Sequence, residues 1–225
     1  MKNKVKIISI LSLMMFSFFY TEKIASYVQN KTPLKKQILT YKENNNISPI
    51  DAKIEKENVI PGINGKSVDV NKSYNEMKYQ NKFNESSIVY KEEPPDVSID
   101  DYPNIIITRG NPEKKSTSII ITKHNQNLNY LKEKNINFDF IDKIKYCLIT
   151  SFSNCNNTSK QKVKASYELT NTNFIKYIKY VDKGSIIYLS DDLDVLYIDI
   201  LLKHLKFYNI KVLNLETHLS ESMKY

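Results

Sequence analysis

Few side chains in this sequence are placed to do chemistry. Asp191 and Asp192 follow the apolar run 185–189 (SIIYL), which reads as a buried strand. α/β folds place ligands at the carboxyl ends of such strands, so the two carboxylates are candidate site residues. The competing reading makes them loop aspartates and the N-cap of a helix starting at Val195, with Asp194 adding favourable charge near its amino end. His124 follows another apolar run, residues 117–122 (TSIIIT), and could face the same mouth. Its polar neighbours Lys123, Asn125, Gln126 and Asn127 support a second reading, that of a solvated loop residue. Of the other histidines, His204 sits mid-helix beside Lys203 and His218 lies in the tail, and both read as surface residues. Cys147 lies in an apolar run (YCLIT, 146–150) and Cys155 in the polar loop after it. They could pair in an oxidising compartment, or Cys147 could serve as a small buried apolar residue.

These residues need elements to position them. From Glu113 onward the pattern alternates strand and helix: strands at 117–122, 136–141, 146–150, 185–189 and 211–215, and helices at 127–134, around Phe174, Ile175, Ile178 and Val181, and at 195–207. That alternation implies an α/β fold with a parallel sheet covered by helices. All seven prolines lie between Pro33 and Pro112, so the segment before the α/β part is turn-rich. It carries expected strands at 87–90 and 104–109. Residues 59–83 (VIPGINGKSVDVNKSYNEMKYQNKF) hold two of the four glycines and read as a turn-rich knot. A helix over 72–79 would follow it, capped by Ser67, Asp69 or Asn71.

Residues 7–20 (IISILSLMMFSFFY) are apolar apart from three serines and follow Lys2, Lys4 and Lys6. As a helix this run spans roughly 21 Å against a hydrocarbon thickness of about 30 Å. No clean cleavage site follows. The expectation is an uncleaved N-terminal signal anchor over 1–28, which places the rest of the chain outside the cytoplasm. A polar stalk over 29–58, with a short amphipathic helix at Leu34, Ile38 and Leu39, would then lead to a turn-rich region over 59–112 and an α/β domain over 113–225. The net charge of +8 is spread over lysines, with Arg109 as the single arginine. Such a distribution argues against nucleic acid, which favours clustered arginine with aromatics, and for attraction to an anionic cell surface.

Two stretches carry a family resemblance. Residues 115–141 (KSTSIIITKHNQNLNYLKEKNINFDFI) resemble the opening strand, helix and strand of polysaccharide deacetylases of the NodB-homology type. Residues 184–219 (GSIIYLSDDLDVLYIDILLKHLKFYNIKVLNLETHL) resemble their closing strand, loop, helix and strand. The resemblance, with the preceding anchor, extends to membrane-anchored deacetylase-like proteins of low-GC Gram-positive bacteria. It implies a distorted (β/α) barrel, here partial or shortened, since only 113 residues run from Glu113 to Tyr225. A full barrel usually needs about 200 or more.

Such enzymes carry an Asp-Asp pair after the first strand, a His-x-x-x-His metal pair and a Leu-His near the end. The metal lowers the pKa of a bound water and a carboxylate takes its proton. At the matching positions this chain has Lys123-His124 and Leu189-Ser190, and no two histidines have the metal spacing. The resemblance therefore implies a catalytically inactive protein with no cofactor, binding cell-wall glycan or another anionic envelope polymer or acting structurally. Two alternatives stay open. One is a divergent carbohydrate N-deacetylase using Asp191, Asp192 and His124 around Zn²⁺ or another divalent metal. The other is an anchored protein-interaction scaffold.

Overall fold

The computed structural model describes residues 2–30, 32–151 and 160–223. In chain order the elements are α1 (Lys2–Asn30), α2 (Pro33–Asn45), β1 (Lys53–Glu55), β2 (Asn58–Ile60), β3 (Gly65–Val68), α3 (Val70–Met77), β4 (Tyr90–Glu93) and β5 (Ile106–Ile107). Then come β6 (Ser116–Ile121), α4 (Leu128–Glu133), β7 (Asp139–Phe140), β8 (Cys147–Ile149), β9 (Lys162–Lys164) and β10 (Tyr167–Leu169). The chain closes with α5 (Phe174–Tyr177), β11 (Ile186–Leu189), α6 (Val195–Phe207), β12 (Lys211–Val212) and α7 (Leu215–Leu219).

Two units form, and neither is one continuous stretch of chain: Met1–Ile47 with Lys66–Lys91, and Ser48–Gly65 with Glu92–Tyr225. Residues 59–83 are thus not one knot, because β2 folds with the second unit and α3 with the first.

In the first unit Thr32 caps α2, with Pro33 in its first turn. Leu34 and Ile38 of α2 pack with Val68, Met77 and Ile88. Of the three candidate caps, Asp69 caps α3, its carboxylate accepting from Lys72 N–H at 3.0 Å. The expected strand at 87–90 begins only at Tyr90, because Glu85–Ser87 is a 3₁₀ turn capped by Asn84. Along α1 the large apolar side chains Ile8, Leu11, Met15, Phe16, Phe19 and Tyr20 are exposed. Among the described residues no helix is long and apolar enough to cross a membrane.

The second unit is mixed α/β, with parallel pairing dominant as the alternating pattern implies. One sheet runs in the order β1-β2-β5-β9-β8 and the other in the order β10-β11-β6-β12, with β7 also on β6. Among the described strands of these two sheets only the β1–β2 pair is antiparallel, and an isolated antiparallel bridge joins Ile50 and Ile63. Among the described residues neither ladder closes into a ring. The shortened barrel of the sequence reading is therefore two sheets, joined by the run 162–169. At that joint Ala165 N–H reaches Ile149 O in one sheet at 3.2 Å, and Ser166 N–H reaches Ile186 O in the other at 2.8 Å.

Strand alternation sorts the side chains of β6 and β11. Ile120, Ile186 and Tyr188 face the cluster that includes Val59, Ile107, Leu148 and Val163. Ile119, Ile121, Ile187 and Leu189 face the helices, against Leu131, Phe174, Ile198 and Leu201. Helix α6 forms over the expected range, and Asn209 ends it in a left-handed turn at φ 53°. Of the expected stripe Leu196, Ile200, Leu201 and Leu205, only Leu201 and Leu205 are buried; Ile198 joins them, while Leu196 and Ile200 are exposed. Its N-cap is Asp194, not Asp191 or Asp192: the Asp194 carboxylate accepts from Leu196 N–H at 2.8 Å. Replacing Asp194 by alanine should cost about 1 kcal/mol in urea unfolding. Asp192→Ala should leave α6 unaffected.

Candidate functional site

β11 lies parallel to β6, with Ile186 opposite Ser118 and Tyr188 opposite Ile120. The register brings Thr122 and Ser190 out of the sheet side by side, and the segments that follow them meet. Thr122 Oγ1 donates to Asp191 Oδ1 at 2.6 Å and accepts from His124 N–H at 3.1 Å. Gln126 N–H donates to Asp191 O at 3.1 Å. Beneath them the buried Asn125 amide donates to Leu189 O at 3.3 Å and to Ser190 O at 3.0 Å. Asp191 and His124 are thus brought to one mouth through Thr122. Asp192 lies beside it but is held separately, accepting from Ser190 Oγ at 2.9 Å. All three candidate side chains are exposed.

Residues outside the sequence reading complete this mouth. Tyr188 is 6% exposed, and burial raises its phenol pKa, with the Asp191 and Glu168 carboxylates adding to the rise. Glu168, in β10 beside β11, accepts from Ser151 N–H at 2.7 Å and from the Ser151 hydroxyl. Lys123 pairs with Asp142, and that hydrogen bond holds the Asp142 carboxyl below its usual range. The result is a rim of hydroxyls and carboxylates over a buried tyrosine. A metal needs three or more convergent ligands, and among the described residues no three His, Cys, Asp or Glu side chains are so grouped. The donor set here does not fit a divalent ion: the two aspartates are turned to separate hydroxyls and the histidine stands exposed.

A second polar cluster lies at the opposite, amino-terminal ends of the same strands, and it corrects the reading of His218. That residue is fully buried on α7. Its Nδ1 lies 2.9 Å from Ser116 Oγ and its Nε2 3.2 Å from Gly184 O. A carbonyl can only accept, so Nε2 carries the proton and Nδ1 accepts from the serine. Burial lowers the imidazole pKa to about 4, and the ring is neutral at pH 7. Lys114 is also buried, its ammonium on Thr217 O at 3.0 Å and on Ser220, and burial lowers its pKa to about 8. It binds the carbonyls at the end of α7. The cluster is saturated with internal partners and closed to solvent. His204 is likewise not a free surface group, since its Nε2 lies 2.7 Å from Val181 O.

Cys147 is disulfide-bonded. Cys155, the partner weighed from the sequence, lies outside the described residues.

No family model matches the chain. The uncharacterized protein YlxY of Bacillus subtilis (strain 168) is 33% identical over 93 residues, 41% of this chain. That match spans only 29% of YlxY. Among solved structures, wild-type BA3943 from Bacillus anthracis, described as a CE4 family pseudoenzyme, superposes with a TM-score of 0.52 at 18% identity. The superposition covers 84% of this chain and 95% of that one. The fold resembles that of this CE4 family pseudoenzyme. A BA3943 mutant, described as a pseudoenzyme with restored enzymatic activity, matches with a TM-score of 0.51 over 84% of this chain and 98% of its own, also at 18% identity. The deacetylase-like resemblance read from residues 115–141 and 184–219 therefore holds for the fold.

Proposed function

We propose that this protein is a deacetylase-like envelope protein that binds cell-wall glycan and does not hydrolyse it. The observation that carries the reading is the hydrogen bond from Thr122 to Asp191 at the mouth. Where the resemblance asks for two aspartates after the first strand, this chain has Lys123-His124, and the Asp191 carboxylate after β11 is engaged by Thr122 instead. The description of BA3943 as a pseudoenzyme supports the same reading. The disulfide at Cys147 supports an oxidising compartment outside the cytoplasm. The exposed apolar side chains of α1 within residues 8–20 support attachment to the membrane.

Titration calorimetry of the full chain with Zn²⁺ and with Co²⁺ should give no stoichiometric binding. Tm should not rise with either ion, because a ligand held by the native state would raise it. Acetylated chitooligosaccharides should release no acetate, while soluble wall-glycan fragments bind. Asp191→Ala should weaken that binding about tenfold, as expected for one hydrogen bond to a charged group. Tight metal binding that vanishes in an Asp191→Ala, Asp192→Ala double variant would overturn the reading and restore the deacetylase.

A further inference from the structure

A cavity of about 490 Å³ opens at the amino-terminal ends of β6 and β11, away from the mouth. Its walls include Arg109, Lys179, Lys183, His204 and Tyr208, over an aliphatic floor of Val181 and Ile210. Arg109 is the single arginine in a chain whose other cations are lysines. Arginine differs from lysine in its rigid planar fork, which matches the oxygens of phosphate and carboxylate. Here the fork is fixed in advance. Nη2 donates to Asp182 Oδ1 at 2.8 Å and to Lys183 O at 2.6 Å. The Nε is buried against Gly184 and closed to the cavity, so the guanidinium, held in place by Nη2, offers its Nη1 and its charge there.

Asp182 is the one carboxylate on the cavity and is held by Arg109 and by Ser185 Oγ at 2.9 Å. Lys179 and Lys183 have no carboxylate partner among the described residues. Three cations thus face one carboxylate that is already engaged. His204 and Tyr208 stand with ring centroids 4.7 Å apart and planes tilted by 56°, and the face of the exposed Tyr208 ring is the wall beside the charge. Such a wall suits the carbon face of a sugar or polyol.

We propose that this cavity binds the phosphate of a sugar or polyol phosphate. The site is separate from the mouth and does not depend on the glycan reading made for it.

The test is calorimetric titration of the full chain with glycerol 1-phosphate, inorganic phosphate and neutral glycerol at about 50 mM salt, where screening is modest. Both phosphates should bind at one saturable site and glycerol should not. A Lys179→Ala, Lys183→Ala double variant should weaken phosphate binding at least about tenfold, as should Arg109→Lys, which keeps the charge and loses the fork. Asp191→Ala, at the mouth, should leave phosphate binding unchanged. Competition between glycerol 1-phosphate and phosphatidylglycerol vesicles separates a soluble phosphate from a lipid-borne one. Absence of saturable phosphate binding would overturn the proposal, and so would equal affinity in the double lysine variant. If Arg109→Lys does not fold, the lysine pair, which holds no other element in place, still decides.

Discussion

Lowering the pH from 7 to 4 will cost the fold about 3 kcal/mol through one side chain, His218. In the unfolded chain this imidazole has its ordinary pKa near 6.5, while in the fold burial lowers it to about 4. Between those values the unfolded state takes up a proton that the native state refuses. The stability contributed by the neutral ring is therefore complete above pH 6.5 and lost as the pH falls towards 4. The Lys114 and Arg109 cations act in the same direction by opposing a charge on the ring. Urea unfolding at steps between pH 7 and 4.5 should show the decline, and His218→Gln, which does not titrate, should flatten it. An equally steep decline in His218→Gln would sink the idea. If that variant does not fold, NMR titration of the wild-type ring decides, and a pKa above 6 would be the contrary result.

The parts of this fold legible in the sequence are those with one strong period. The apolar runs of β6 and β11 are buried whole, so their composition alone marks them, and α6 shows a helical period although Leu196 and Ile200 of that period face outward. The misses have physical causes. Residues 162–169 (KVKASYEL) alternate, with Val163, Ala165, Tyr167 and Leu169 at period two, but interleaved lysine and serine dilute the run below the hydrophobicity of a core strand. β1 and β2 turn at Lys56, which takes φ 56° without the glycine or asparagine that usually marks such a turn.

The candidate site was legible only in part. Position after a strand marks Asp191 and His124 as neighbours, because sheet register carries both to one end. Glu168 carries no signal of its own, because the alternation of its strand is diluted by lysine and serine. Tyr188 reads from sequence as one more apolar strand residue, and its place under the mouth follows from β11 having β6 on one side and β10 on the other. His218 was misplaced because residues 211–215 read as a strand running into a tail. Leu215, His218 and Leu219, at i, i+3 and i+4, are the stripe of a short helix, and that pattern was the available signal.

The same histidine makes Gly110→Ala a damaging small substitution. A Cβ at Gly110 would stand 2.4 Å from His218 Nε2 and 2.5 Å from Cε1, well inside contact distance. The ring cannot swing clear, since Ser116 and Gly184 hold both its nitrogens and no part of it reaches solvent. Gly110 cannot easily withdraw either, because its own N–H donates to Gly184 O at 2.8 Å. Overpacking of this kind costs about 1–3 kcal/mol, and breaking one of the buried ring bonds adds about 1–3 more. We expect a loss of about 3 kcal/mol or more, read as a fall in the urea midpoint. Clash with the ring, and not backbone strain at residue 110, is the stated cause, so the effect must depend on the ring. In a His218→Ala background, which opens the space, Gly110→Ala should cost less than about 1 kcal/mol. Additive losses in that double-mutant cycle would place the cause in the backbone and refute the packing account of this corner.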